Sequence, residues 1–172
     1  MLIRNGHEAD ICEILQMIKD SYTPYDDLIC DISIPTYTRE EIRSLLYEPQ
    51  SDVWVVEDNG NIVGMAAGTE FGPCAYHLKM LFVLGKSQYQ GIGRELLKKF
   101  EERARERRFS LLTVNYLEWA EWSGRFYKKH GYKEYVQDDE ETCPDLKSQV
   151  AFLKKIGRLN NGDKHLVWKT IF

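Results

Sequence analysis

The chain has 172 residues, of which 43% are hydrophobic and 29% charged. That length and balance fit a single domain over residues 1–172 and exclude a disordered chain. Twenty-seven acidic residues against 23 basic ones leave a net charge of −4, which argues against nucleic acid as a partner, because a phosphate-tracking surface is basic. The longest strictly apolar run, Met80-Leu81-Phe82-Val83-Leu84, is far short of the ~18 residues of a membrane-spanning helix, so no membrane partner is expected. The opening Met-Leu-Ile-Arg-Asn-Gly-His-Glu lacks the apolar core of a signal peptide, and a cytoplasmic protein is expected. Cys12, Cys30, Cys74 and Cys143 are scattered without Cys-x-x-Cys spacing, and His7, His77, His130 and His165 do not pair with them. Reduced thiols and no metal are expected.

Leu2 to Arg4 reads as a short strand. Ile11, Ile14, Leu15 and Ile18 fall at helical spacing and predict an amphipathic helix over about Glu8 to Tyr22. A stretch containing Pro and Asp follows, from Thr23 to Pro35, and Thr38-Arg39-Glu40-Glu41 is a capping box that opens a second helix through Leu46. The period then changes. Val53 to Glu57 and Ile62 to Glu70 are strands joined by Asp58-Asn59-Gly60-Asn61, whose Asn-Gly favours a tight hairpin. Ala75 to Leu84 is a third strand of this meander, and Gly85 to Gln90 a polar loop. Leu96, Leu97, Phe100 and Ala104 mark a helix from Gly91 to about Arg108, on which Lys98, Lys99, Arg103, Arg105, Arg107 and Arg108 form a solvated face. Leu111 to Val114 is a short buried strand, Ala120 to Lys129 a helix closed by Gly131, and Tyr132 to Val136 extends again. Asp138 to Glu141 reads as a solvated acidic loop, Leu146 to Ile156 as a helix and His165 to Phe172 as a last strand. This order is that of an α/β fold with a mixed sheet.

The segment richest in chemistry is Gln88-Tyr89-Gln90-Gly91-Ile92-Gly93-Arg94, between a strand and a helix. Glycines let the backbone approach a ligand, and the first amides of a helix have no internal partner. With the positive end of the helix dipole they make an anion site, to which Arg94 adds a charged donor. The Walker pattern is absent, and the dinucleotide fingerprint fails because Leu96 stands where its third glycine belongs.

Gln88-x-x-Gly91-x-Gly93 resembles the Arg/Gln-x-x-Gly-x-Gly/Ala signature of the GCN5-related N-acetyltransferase (GNAT) superfamily. His77 to Val83 is similar to its fourth strand, and Arg125-Phe126-Tyr127-Lys128-Lys129-His130-Gly131-Tyr132 to its second motif. The resemblance covers about Ala75 to Val136 and implies a single-domain GNAT fold, with a mixed central sheet whose fourth and fifth strands splay apart between flanking helices. It also implies acetyl-coenzyme A as cosubstrate, an amine of a small molecule or peptide as acceptor, and often a homodimer. The pyrophosphate would rest on the amides of Gln88, Tyr89, Gln90, Gly91, Ile92, Gly93 and Arg94. The pantetheine would pair with the backbone of Leu81, Phe82 and Val83, and the thioester would lie near Tyr127, with Ser123 a further contact. A coenzyme A-binding sensor or scaffold without turnover is the rival reading.

An alkyl amine with a pKa of about 10 must lose a proton before it attacks a thioester, and a thiolate with a pKa near about 8.5 leaves more easily if a phenol protonates it. Tyr127 is the candidate acid. His77 is the candidate base, because it titrates near about 6.5, and by resemblance some small-amine acetyltransferases carry histidine at this position. Glu70, Glu118 or an ordered water are alternatives. Two departures from the resemblance stand out: Lys79 where many relatives carry glutamate, and Ala120 where they often carry an asparagine that contacts the cofactor. Asn115 is a substitute contact. Tyr22, Tyr25 and Tyr37 with Asp26, Asp27 and Asp31 suggest a cationic acceptor.

Overall fold

A computed structural model describes residues 1–29, 34–159 and 164–171; Cys30, Asp31 and Phe172 lie outside them. Seven strands form one mixed sheet in the order β1-β2-β3-β4-β5-β7-β6. They are β1 (Leu2–Asn5), β2 (Ser51–Asp58), β3 (Asn61–Phe71), β4 (Ala75–Val83), β5 (Leu111–Leu117), β6 (Lys133–Glu134) and β7 (Lys164–Thr170). The helices are α1 (Ile11–Asp20), α2 (Asp26–Ile29), α3 (Arg39–Tyr47), α4 (Ile92–Glu106), α5 (Glu121–Lys129), α6 (Asp139–Thr142) and α7 (Pro144–Lys155). The alternation of strands and helices is therefore the expected α/β one. β4 and β5 run parallel, from Ala75 opposite Leu111 to Leu78 opposite Val114; the ladder ends there, while β4 continues to Val83 and β5 to Leu117.

The chain makes two compact units, one from residues 1–68 and 80–100, the other from 69–79 and 101–172. In the first, Ile11, Ile14, Met17 and Ile18 of α1 and Ile42 and Leu45 of α3 pack on Val53, Val55, Ile62, Met65 and Met80. Burying each such side chain stabilises by roughly 1.5–3 kcal/mol. Arg4 clamps β1 to this body through a bidentate pair with Asp10, 2.7 and 3.0 Å, and a bond to Glu57 at 2.9 Å. The Asn59-Gly60 turn has φ of 50° and 78°, the left-handed pair that a two-residue hairpin requires.

In the second unit α7 packs Leu146, Val150 and Leu153 against Ala75, Leu111, Leu166 and Trp168. Strand alternation puts His77 and Thr113 on that same face. The opposite face carries α5, whose Gly124 lies so close to the Tyr116 ring that a Cβ there would stand 2.8 Å from it. The acidic segment is not a solvated loop. Asp139 accepts from the Val136 amide and from the Trp168 indole, each at 3.0 Å, and Glu140 accepts from the Tyr135 hydroxyl. These bonds fold Asp139–Thr142 into the short helix α6.

Candidate active site

In the first unit β4 ends in a turn of 3-10 helix, Gly85–Ser87, that leads to Gln88. The Gln88 amide donates to Gly85 O at 3.2 Å, so Gln88 drops out of the set of amides open to a phosphate. Its side chain is also committed: Nε2 donates to Ser21 O at 2.9 Å and to Val83 O at 3.1 Å, and Oε1 accepts from the Tyr25 hydroxyl at 2.8 Å. Gln90 reaches back to Lys86 O at 3.3 Å. Tyr89 is 91% exposed and has a φ of 62°. Gly91 follows with a φ of 87°, a conformation that a side chain would strain. Its carbonyl accepts from Glu95 N at 3.1 Å, the first bond of α4. Ile92, Gly93 and Arg94 are the first turn of α4, and such amides have no carbonyl one turn back to bond. Gly91 brings no side chain to cap them, and Arg94 is exposed beside them. Upstream, Leu81, Phe82 and Val83 are half-buried. Phe82 meets the rings of Tyr22 and Tyr37 edge-on, at centroid distances of 6.0 and 5.8 Å. Burial raises the pKa of both tyrosines, which stay neutral phenols. Tyr22, Tyr25 and Tyr37 thus serve ring packing and the Gln88 bond.

In the second unit Tyr127 is 6% exposed and lies against Phe126 and Tyr132, at centroid distances of 5.3 and 5.8 Å. Burial raises its pKa. Among the described residues its hydroxyl has no hydrogen-bond partner. The end of α5 is fixed by Lys169, whose Nζ donates to Glu101 at 2.9 Å and to His130 O at 3.0 Å. Ser123 is half-buried, its amide bonded to Ala120 O at 2.9 Å. Ala120 is buried at the N-cap of α5, and its methyl offers no cap. Asn115 sits opposite Leu166 in the β5–β7 ladder.

His77 occupies the other face of this part of the sheet. Its Nδ1 is 3.0 Å from Thr113 Oγ1, and its ring lies 5.4 Å from that of Phe71. Burial, and then the charges of Lys79, Arg158 and Lys164, push its pKa down to about 4. The imidazole is therefore neutral near pH 7 and a weak base, a poor match for an ammonium with a pKa of about 10. Of the alternatives, Glu70 is paired with Arg107 at 2.7 Å, and Glu118 is exposed. His77, the expected base, thus lies on the face of the sheet opposite α5, which carries Tyr127. The signals that would have revealed it, Phe71 and Thr113, are ordinary strand residues. Cys12 is exposed, while Cys74 and Cys143 are partly buried free thiols. Among the described residues, no three His, Cys, Asp or Glu side chains gather to hold a metal, and no helix is long and apolar enough to cross a membrane.

A family model described as an acetyltransferase (GNAT) domain matches residues 49–134, half of the chain. The chain belongs to the GNAT acetyltransferase family. Solved structures agree with this GNAT fold over nearly the whole length. An acetyltransferase of the GNAT family from Staphylococcus aureus Mu50 superposes with a TM-score of 0.70 at 15% identity, covering 99% of each chain. A ribosomal-protein-alanine N-acetyltransferase from Brucella melitensis gives 0.68 at 22% identity, covering 99% of this chain and 100% of its own. The PaiA N-acetyltransferase of Thermoplasma acidophilum, in complex with coenzyme A, gives 0.68 at 13% identity, covering 99% of this chain and 98% of its own. No curated protein sequence matches this GNAT chain.

Proposed function

We propose that this protein transfers the acetyl group of acetyl-coenzyme A to a primary amine of a small molecule or peptide, by direct attack in a ternary complex. The observation that carries the reading is the first turn of α4, left open by Gly91 inside the segment that the family model matches. The amides of Ile92, Gly93 and Arg94, with the Arg94 guanidinium and the helix dipole, suit a pyrophosphate. Tyr89, Gln90 and Gly91 contribute backbone from the loop, and Leu81, Phe82 and Val83 offer strand edge to the pantetheine. Ser123 is a further polar contact.

Acetyl-coenzyme A supplies the activated acetyl group. The amine nitrogen, having lost a proton, bonds to the carbonyl carbon, and the carbon–sulfur bond breaks. The Tyr127 hydroxyl, without a partner among the described residues and kept neutral by burial, donates its proton to the departing sulfur. The proton of the amine passes to water rather than to His77. Free-thiol release across a panel of amines tests this reading, with Tyr127→Phe alongside the wild type. An amine should drive release, and the variant should lose about 10²–10³-fold in kcat while binding coenzyme A within about threefold. Tight binding of coenzyme A without turnover on any amine would favour the sensor reading, for which Lys79 and Ala120 speak.

A further inference from the structure

We infer that Gln88 is a positioning residue, a latch that shapes the phosphate loop and couples pyrophosphate binding to the order of residues 21–25. This rests on the proposed binding of coenzyme A at that loop. A primary carboxamide has two N–H donors, and in Gln88 both are spent on main-chain carbonyls, Ser21 O at 2.9 Å and Val83 O at 3.1 Å. No donor remains for a phosphate. The three partners come from three places: the end of α1 (Ser21), the end of β4 (Val83) and the turn before α2 (Tyr25), whose hydroxyl donates to Oε1 at 2.8 Å.

The same segment also meets the loop by close packing. A Cβ on Gly85 would stand 2.4 Å from Thr23 Oγ1, 2.8 Å from Pro24 Cδ and 3.0 Å from Asp20 O. Glycine is the residue that lets the backbone at the root of the loop approach so closely. Thr23 is itself held, its hydroxyl donating to Asp20 O at 2.9 Å, and Gly85 O accepts the Gln88 amide at 3.2 Å. Residues 20–25 and 83–88 therefore form one bonded body, three residues ahead of the glycine that opens α4. A ligand that fixes the loop must restrict whatever is bonded to its root, and the coupling is reciprocal.

Hydrogen exchange of the full chain, with coenzyme A and with pantetheine as probes, tests the latch. In the wild type coenzyme A should slow exchange at residues 21–25 about tenfold, and pantetheine, which lacks the pyrophosphate, should not. Gln88→Met should abolish that slowing and raise the Kd of coenzyme A about tenfold. Tyr25→Phe, which deletes one hydroxyl and nothing else, should reduce the slowing and raise the Kd about threefold. The double variant should bind like Gln88→Met alone, because both substitutions break one device. Melting curves show which variants fold, and Tyr25→Phe keeps the test alive if Gln88→Met does not. Weakened binding in Gln88→Met with Tyr25→Phe unchanged in both readouts would make Gln88 a direct ligand and sink the latch. Binding to the wild type without slowing would also overturn it and leave the proposed function standing. Failure of the wild type to bind coenzyme A would remove both.

Discussion

Two helices of the first unit begin in opposite ways. At α3 the Thr38 hydroxyl accepts the Glu41 amide at 3.2 Å, while the Glu41 carboxylate takes the Thr38 amide at 2.7 Å. The amides are closed off by the residues that precede and follow them. At α4 the corresponding place is held by Gly91, with a φ of 87° and no side chain, and the first turn is left open. A terminus that satisfies itself contributes to stability; one that does not is available to an anion. The same division separates Tyr127, whose hydroxyl lacks a partner among the described residues, from His77, whose imidazole is held against Thr113 and Phe71.

The comparison breaks most readily at Gly91. Gly91→Asp places a carboxylate at the open turn and should weaken coenzyme A by roughly 100-fold in calorimetric titration, through repulsion of the pyrophosphate. Gly91→Asn, with the same shape and no charge, should cost less than about tenfold. Equal losses in the two variants would assign the effect to backbone strain instead of anion binding.

His77 sharpens the contrast through pH. Its ordinary pKa of about 6.5 in the unfolded chain falls to about 4 in the fold. Between those values the unfolded chain binds more protons, so stability declines as pH falls through the window and is unaffected above it. Urea unfolding of the wild type against His77→Gln should show an excess loss of about 2.5 kcal/mol for the wild type at about pH 4.5. Turnover near pH 7 should stay within about threefold. A large fall in kcat, with a basic limb removed from the pH profile, would restore His77 to the chemistry.

Thr38→Ala gives the smallest effect. Loss of the cap should destabilise by about 1 kcal/mol and leave the affinity for coenzyme A unchanged. A change in that affinity would mean that the closed terminus also serves the ligand.

What could be read in the sequence was whatever depends on near neighbours. The capping box at Thr38 and the Asn59-Gly60 turn are settled within four residues, and both form as expected. The Gln88–Arg94 loop is recognisable because the order of its glycines suits a strand-to-helix turn. Distant partners defeat such reading. Asp139 joins a helix because Trp168, 29 positions away, donates to it. Gln88 turns inward because Ser21, 67 positions away, offers a carbonyl. His77 loses its basicity first to burial, which no local pattern announces, then to the nearby Lys79 and the distant Arg158 and Lys164.

Neither compact unit is a contiguous stretch of chain. The first needs residues 80–100, which are synthesised after residues 69–79 of the second. On the ribosome, then, the first unit cannot close until the chain has been made through β4 and into α4. Residues 1–68 emerge with Ile11, Ile14 and Val55 lacking the Met80 that completes their cluster. No single cut yields either unit whole, so a nick within 69–100 leaves two unfinished cores, and a chain that stops there leaves one. Such fragments are work for chaperones and proteases, and the chain is made to be completed before it is useful.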